Sequence, residues 1–239
     1  MRTNRLRVVS FSGIDGAGKS TQIEALQDQL QRKGLRVVVR TFWDDVVAGP
    51  RLREMISLKA FRGDKGIGSP EKPIHRRDKN VRSWYVTAAR FGLYALDAVS
   101  LRIVVSRIPS NVDVVIFDRY ILDEVANLPI DSWAVRLYIR ALSRLVPKVD
   151  VAYVLDADPD AAYARKPEYP LEFLRSNRDA YIALSRILNG ITVIEHGSAE
   201  EAKEKVARVF ATKCPPLKPR SPKLIPLLLT TREARPPRR

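Results

Sequence analysis

The chain is poor in the residues that staple or ligate. It holds one cysteine, Cys214, and two histidines, His75 and His196, among 239 residues. A lone thiol cannot close an internal disulfide and fits a reducing cytoplasm. One cysteine with two histidines also falls short of the four ligands of a conventional structural zinc site. Long hydrophobic runs are missing too, since no uninterrupted apolar stretch approaches the ~20 residues that a membrane-crossing helix needs. The opening Met1-Arg2-Thr3-Asn4-Arg5 leads straight into a strand rather than into a signal peptide's apolar region. A cytoplasmic protein with no membrane partner is therefore expected.

Acidic residues are also in short supply, with 27 Asp and Glu against 42 Lys and Arg, a net charge of +15. The excess is uneven. From Lys213 onward, eight basic residues face one acid, Glu233, so that segment carries +7 and the body +8. A body of that charge suits an enzyme of phosphorylated substrates and equally suits contact with nucleic acid. Residues 213–239 also hold seven prolines and no usable periodicity, which reads as a basic, Pro-rich tail. Within it, Leu224 to Leu229 is an apolar island, either a strap across a groove or a docking peptide.

What is present is concentrated near the amino end. Gly13 to Thr21 read G-I-D-G-A-G-K-S-T directly after the apolar run Val8-Val9-Ser10-Phe11. This is a phosphate-binding loop between a strand and a helix. Gly13, Gly16 and Gly18 let the backbone, with Asp15 and Ala17, curl so that successive N–H groups face a polyphosphate. A helix starting near Lys19 adds its positive end, joined by Ser20 and Thr21. Lys19 reaches the terminal phosphates, and the Ser20 hydroxyl suits Mg²⁺, a hard cation that prefers oxygen. The chain is expected to bind ATP with Mg²⁺.

Strand and helix signals alternate along the rest. Leu35 to Thr41, Val112 to Phe117, Val149 to Leu155 and Ile191 to Ile194 are Val/Ile-rich runs without alternation, as expected of strands covered on both faces. Helical signals occupy Pro50 to Phe61, Asn80 to Arg107 and the stretch opened by Ser198-Ala199-Glu200-Glu201, a capping box. Arg62 to Lys79 is polar, with three glycines and two prolines, and reads as a long loop. The fold class is α/β: a five-stranded parallel sheet flanked by helices in three layers, with the ligand crevice at the strands' carboxyl ends. The expected division is one domain over 1–212, including the 62–79 loop, and the tail over 213–239.

The third strand runs into Phe117-Asp118-Arg119-Tyr120, about a hundred residues beyond the loop, and this pairing resembles thymidylate kinase. Pro147 to Asp150, Tyr153 to Ala162, Phe173 to Tyr181 and Ile191 to Phe210 are similar to later parts of that family, over roughly 6–212 in all. The resemblance implies phosphoryl transfer from ATP to a nucleoside monophosphate, dTMP to dTDP above others. It implies that Arg119 grips the acceptor phosphate or the group in flight, that Asp118 orients Mg²⁺ through water, and that Asp15 meets the acceptor sugar. Arg90 and Tyr120 fall at acceptor-binding positions. A lid over 164–172 would bring Arg165 and Lys166 to the reaction, the arrangement that Gly16 in the loop implies. Family members often pair as dimers, which makes the Asn80–Arg107 helix a candidate surface.

Several positions depart from the family pattern. Phe42 to Val47 stands where an R-E-P-G-G-T-like acceptor segment is usual, with Arg51 and Arg53 following, and Val86 occupies the place of the aromatic that stacks on thymine. In D-R-Y-x-x-S-x-x-A-Y-Q the serine is Asp123, the tyrosine Asn127 and the glutamine Leu128. A P-loop kinase of another small acceptor, such as a nucleoside or phosphate ester, therefore stays open. So does an ATP-binding protein with little turnover that meets nucleic acid through the tail and His75-Arg76-Arg77, although no N-K-x-D guanine-reading motif and no D-E strand ending is present.

Overall fold

A computed structural model describes residues 5–47 and 84–214. The expected helix over Pro50 to Phe61, the 62–79 loop, Arg51, Arg53 and the tail beyond Cys214 lie outside the described residues. Five strands form one sheet: β1 (Arg7–Ser12), β2 (Val37–Thr41), β3 (Val114–Asp118), β4 (Val151–Leu155) and β5 (Ile191–Ile194). They are ordered β2-β3-β1-β4-β5, and every pairing is parallel. The expected three-layer α/β architecture is therefore present.

Side chains alternate to the two faces of the sheet, and each face has its own core. On one face Val9, Phe11, Val114, Ile116, Val151 and Tyr153 pack against α1 (Lys19–Arg32) and the closing helix (Ala199–Lys213). The stripe of α1 is Ile23, Leu26 and Leu30, at helical spacing. On the other face Val8, Val115, Phe117 and Val154 meet residues from α2 (Trp84–Ser106), α3 (Ile121–Val125), α4 (Trp133–Leu145) and α6 (Leu171–Ile187). Between β4 and α6 stands the short α5 (Pro159–Arg165), capped by the Asp158 carboxylate on the Ala161 N–H at 3.0 Å. The closing helix, α7, carries the capping box expected at Ser198: Ser198 Oγ accepts from Glu201 N, and Ser198 N donates to the Glu201 carboxylate.

Three strands begin about two residues later than their apolar runs. Two buried or half-buried carboxylates explain two of these starts. Asp113 accepts from the Arg36 N–H at 3.0 Å, and Asp150 accepts from Val8 N at 2.9 Å and from Arg7 Nη1 at 3.1 Å. Side chains there replace ladder partners at the amino edge, so β3 and β4 start just beyond them. No element is expected from the sequence between Arg119 and Pro147, where α3 and α4 lie, although Val135, Ile139 and Leu142 repeat at helical spacing.

The chain order places the site. From β1 the chain crosses to β2 and returns to β3 beside β1, then leaves for β4 on the other flank. The carboxyl ends of β1 and β3 therefore flank the switch point, where open α/β sheets bind ligands. Phe11 pairs with Asp118 in the register, and the Arg119 N–H donates to the Phe11 carbonyl at 2.9 Å. The glycine loop and the D-R-Y turn thus emerge side by side.

Candidate active site

The loop from Gly13 to Gly18 is built for close approach. Ala17 N donates to the Ile14 carbonyl at 3.2 Å, and the first backbone bond of α1 runs from Gln22 N to Gly18 O. The amides of Lys19, Ser20 and Thr21 precede that ladder and stand at the helix's positive end. Gly16 has φ +81°, and a Cβ there would sit 2.5 Å from the Ala162 carbonyl oxygen. Only glycine lets the loop press against α5, the helix that ends at Arg165.

Lys19 is buried, and its Nζ donates to the Gly13 and Ile14 carbonyls at 2.9 and 2.8 Å. Burial, then the charge of Arg119, lowers its pKa to about 8. Two loop carbonyls are weak compensation for an ammonium out of water, and phosphate oxygens are better partners. A triphosphate should favour the charged form and raise the pKa. At pH 9 the free chain holds Lys19 mostly neutral, so ATP binding should take up close to one proton. At pH 7 it should take up almost none. Calorimetry in buffers of different ionisation enthalpy checks this: the apparent binding enthalpy should depend on buffer at pH 9 and not at pH 7.

Arg119 follows β3 with φ +68°, a left-handed conformation uncommon for a side-chain-bearing residue. This turn aims its guanidinium at the loop. Nη2 bonds the Asp15 carboxylate, and Nη1 bonds Asp123 Oδ1 at 3.1 Å. Burial works against the charge, but Asp123 and Asp15 outweigh it and hold Arg119 more firmly protonated than an ordinary arginine. Lys19, Arg119 and Asp118 act on one another electrostatically, and each feels Asp15 and Asp123. Two cations thus share a crevice with three carboxylates.

Asp118 ends β3. Burial pushes its pKa up, while Lys19 and Arg119 pull it down, and its Oδ1 is buried without a hydrogen-bond partner among the described residues. An orphaned carboxylate oxygen beside a phosphate loop suits a cation or a cation-bound water. The described residues hold no group of three or more His, Cys, Asp or Glu that would cage a metal. The exposed Ser20 hydroxyl at the start of α1 is a second oxygen of the right kind.

The other expected residues divide. Arg90 donates from Nη1 to the Asn127 carbonyl at 3.3 Å, so α2 reaches the end of α3. Tyr120 is buried, its ring edge-on to Phe117, and its hydroxyl donates to the Pro147 carbonyl at 3.0 Å. Arg165 and Lys166 are exposed; Arg165 Nε bonds the Ala161 carbonyl at 3.2 Å, and Lys166 pairs with Glu168 at 3.3 Å. Neither of these contacts reaches the loop. Nothing is described of the Val86 side chain. Leu128 is buried in the core, and Asn127 spends its amide on the Asp123 and Glu124 carbonyls.

Three residues at the site escape the sequence reading. Asp123, Tyr181 and Ser12 join one buried network, with Tyr181 OH and Ser12 Oγ both donating to the Asp123 carboxylate. The one available signal was a carboxylate where the family pattern has serine. A second pair, Arg178 on Asp156 at 2.5 and 2.8 Å, ties α6 to the end of β4.

Comparison with known proteins agrees with this geometry. A probable thymidylate kinase of Pyrobaculum aerophilum is 32% identical over 183 residues, covering 73% of this chain and 81% of that protein. Probable thymidylate kinases of Methanosphaera stadtmanae and Sulfurisphaera tokodaii are each 24% identical, over 84% and 86% of this chain and 94% and 96% of their own lengths. A family described as methylmalonyl Co-A mutase-associated GTPase MeaB matches residues 1–42. That match contains the loop and α1 and stops before the Arg119 turn.

Proposed function

This chain belongs to the thymidylate kinase family, and we propose that it transfers the γ-phosphoryl group of ATP to a nucleoside monophosphate, dTMP by preference, giving ADP and dTDP. The observation that carries the reading is the meeting of Arg119 with the phosphate loop at Asp15, beside Lys19. Transfer between two phosphates requires two polyanions held in line, with charge balanced on the group between them. Lys19 leaves the loop carbonyls for the β- and γ-oxygens of the donor. Arg119 exchanges its bond to Asp15 for the acceptor phosphate, and the freed Asp15 carboxylate is available to a sugar hydroxyl. An acceptor phosphate oxygen attacks the γ-phosphorus, the bond to the β-bridging oxygen breaks, and ADP departs. Mg²⁺, held by Ser20 and through water by Asp118, would supply charge neutralisation on the donor's oxygens.

Arg165 and Lys166 belong to a lid over 164–172, which continues from α5, the helix that meets the loop at Gly16 and Ala162. Arg165 and Lys166 are themselves exposed, so leaving their present partners costs little. Exchanging both for alanine should lower kcat by about 10- to 100-fold with ATP affinity little changed, since a cation arriving on closure acts on the transition state. Single-turnover kinetics with calorimetric ATP binding checks this; equal losses in both would remove the lid role.

The domain is proposed to span 1–212 with the tail separate, and to work in the cytoplasm. Among the described residues no helix is long and apolar enough to cross a membrane. Pairing of two copies through α2 fits a line of exposed apolar residues there, Leu96, Val99 and Ile103.

The acceptor is tested by following ADP release over dTMP, dUMP, dCMP, dAMP, dGMP, UMP and thymidine. The reading expects dTMP to be fastest and thymidine to be inert. Turnover of thymidine with idle monophosphates would assign the chain to a nucleoside acceptor instead.

A further inference from the structure

Asp123 is 3% exposed, and its carboxylate is saturated. Oδ1 accepts from Arg119 Nη1 at 3.1 Å and Tyr181 OH at 2.8 Å, and Oδ2 accepts from Ser12 Oγ at 2.6 Å and Tyr120 N at 3.0 Å. A carboxylate offers about four lone-pair positions, and here all four are filled. The donors come from the end of β1, the turn after β3 and α6, so the group is fixed from three directions. Arg119 by contrast is held from two sides by different kinds of partner. Asp15 lies in the phosphate loop, where a bound nucleotide competes for its neighbours. Asp123 lies in the core and has nowhere to go.

A serine at position 123 would carry no charge and accept fewer bonds. The guanidinium would then depend on Asp15 alone in a left-handed backbone turn that few residues favour. We propose that Asp123 is a positioning residue for phosphoryl transfer: through a buried network with Ser12 and Tyr181 it locks the Arg119 guanidinium onto the crevice before and after Asp15 lets go. The inference rests on the reading of Arg119 as the acceptor-side cation. It makes the fixed partner of that cation a feature of this chain's own sequence. Because Asp123 acts through Arg119, its loss should misplace the fork rather than remove it. A misplacement of about 1 Å costs on the order of 100-fold in rate.

The test is a double-substitution cycle on the full chain with Asp123→Asn and Arg119→Lys. Asp123→Asn should lower kcat by about 10- to 100-fold, with the KM for ATP and the ATP dissociation constant unchanged. With Arg119→Lys already present, adding Asp123→Asn should cost nothing further, since contacting groups in one network are not additive. A purely structural carboxylate would instead multiply the two losses, and that result overturns the proposal, as does wild-type kcat in Asp123→Asn. If Asp123→Asn lacks a cooperative melt, Tyr181→Phe takes its place. It removes one bond to the same oxygen and should show a smaller drop in kcat that again vanishes over Arg119→Lys; multiplied losses overturn the proposal here too. A wild-type chain without turnover removes both this inference and the reading beneath it, whereas multiplied losses in an active wild type remove this inference alone.

Discussion

Arg119→Ala is expected to cut phosphoryl transfer by about 1,000-fold or more, the scale of a lost arginine at a transferring phosphoryl group. Two losses add here. The group in flight loses its acceptor-side cation, and Asp15 and Asp123 lose the charge that offsets their own. The second loss should also appear in stability. Asp123 is buried, and removing the partner of a buried charge costs on the order of 3 kcal/mol. Thermal denaturation should therefore show a clear drop in Tm for Arg119→Ala, and Arg119→Lys should recover most of that drop but little of the rate. A lysine keeps the charge and loses the planar fork that holds Asp15 and Asp123 at once. Should Arg119→Ala only raise the acceptor KM, the residue binds and does not assist transfer.

Lys19→Met should abolish measurable turnover, a loss on the order of 1,000-fold or greater, with the opposite sign on the free chain's stability. The ammonium is buried, and its pKa lies near 8, below its ordinary 10.5, because burial penalises the charge. The sign follows from proton counting. Between about pH 8 and 10.5 the unfolded chain binds more protons at this position than the folded one, so stability rises with pH across that window. At pH 7 the folded chain bears the cost of the buried charge, and methionine relieves it. The Tm of the ligand-free Lys19→Met chain at pH 7 should equal or exceed that of the wild type, while the stabilisation by magnesium and ATP should disappear. Undiminished turnover would remove Lys19 from the donor site.

Much of the architecture is legible in the residues because buried parallel strands declare themselves as Val/Ile runs. The carboxyl ends come out well, at Thr41, Leu155 and Ile194, and the amino ends of β3 and β4 poorly. There Asp113 and Asp150 satisfy backbone N–H groups with side chains, which a propensity reading takes for strand interruption or misses. The α3–α4 region is only partly hidden: α4 keeps Val135, Ile139 and Leu142 at helical spacing, whereas α3 spans five residues, too few to show a helical period. The glycine loop and Arg119 stand out in sequence because their chemistry needs local spacing. The Ser12–Asp123–Tyr181 network does not, since its members meet across 58 and 111 positions of chain and no local pattern joins them. Tyr120 sits beside Arg119 in sequence, and after the left-handed turn at Arg119 its ring packs on Phe117 in the core, a neighbourhood that adjacency in the chain does not reveal.

The account turns on a phosphoryl group moving from ATP to a monophosphate, and phosphorus NMR follows that movement directly. With magnesium, ATP and dTMP, the account predicts a dTDP β-phosphorus resonance growing in step with ADP and no inorganic phosphate. ADP accompanied by inorganic phosphate, or ATP left intact, would contradict it.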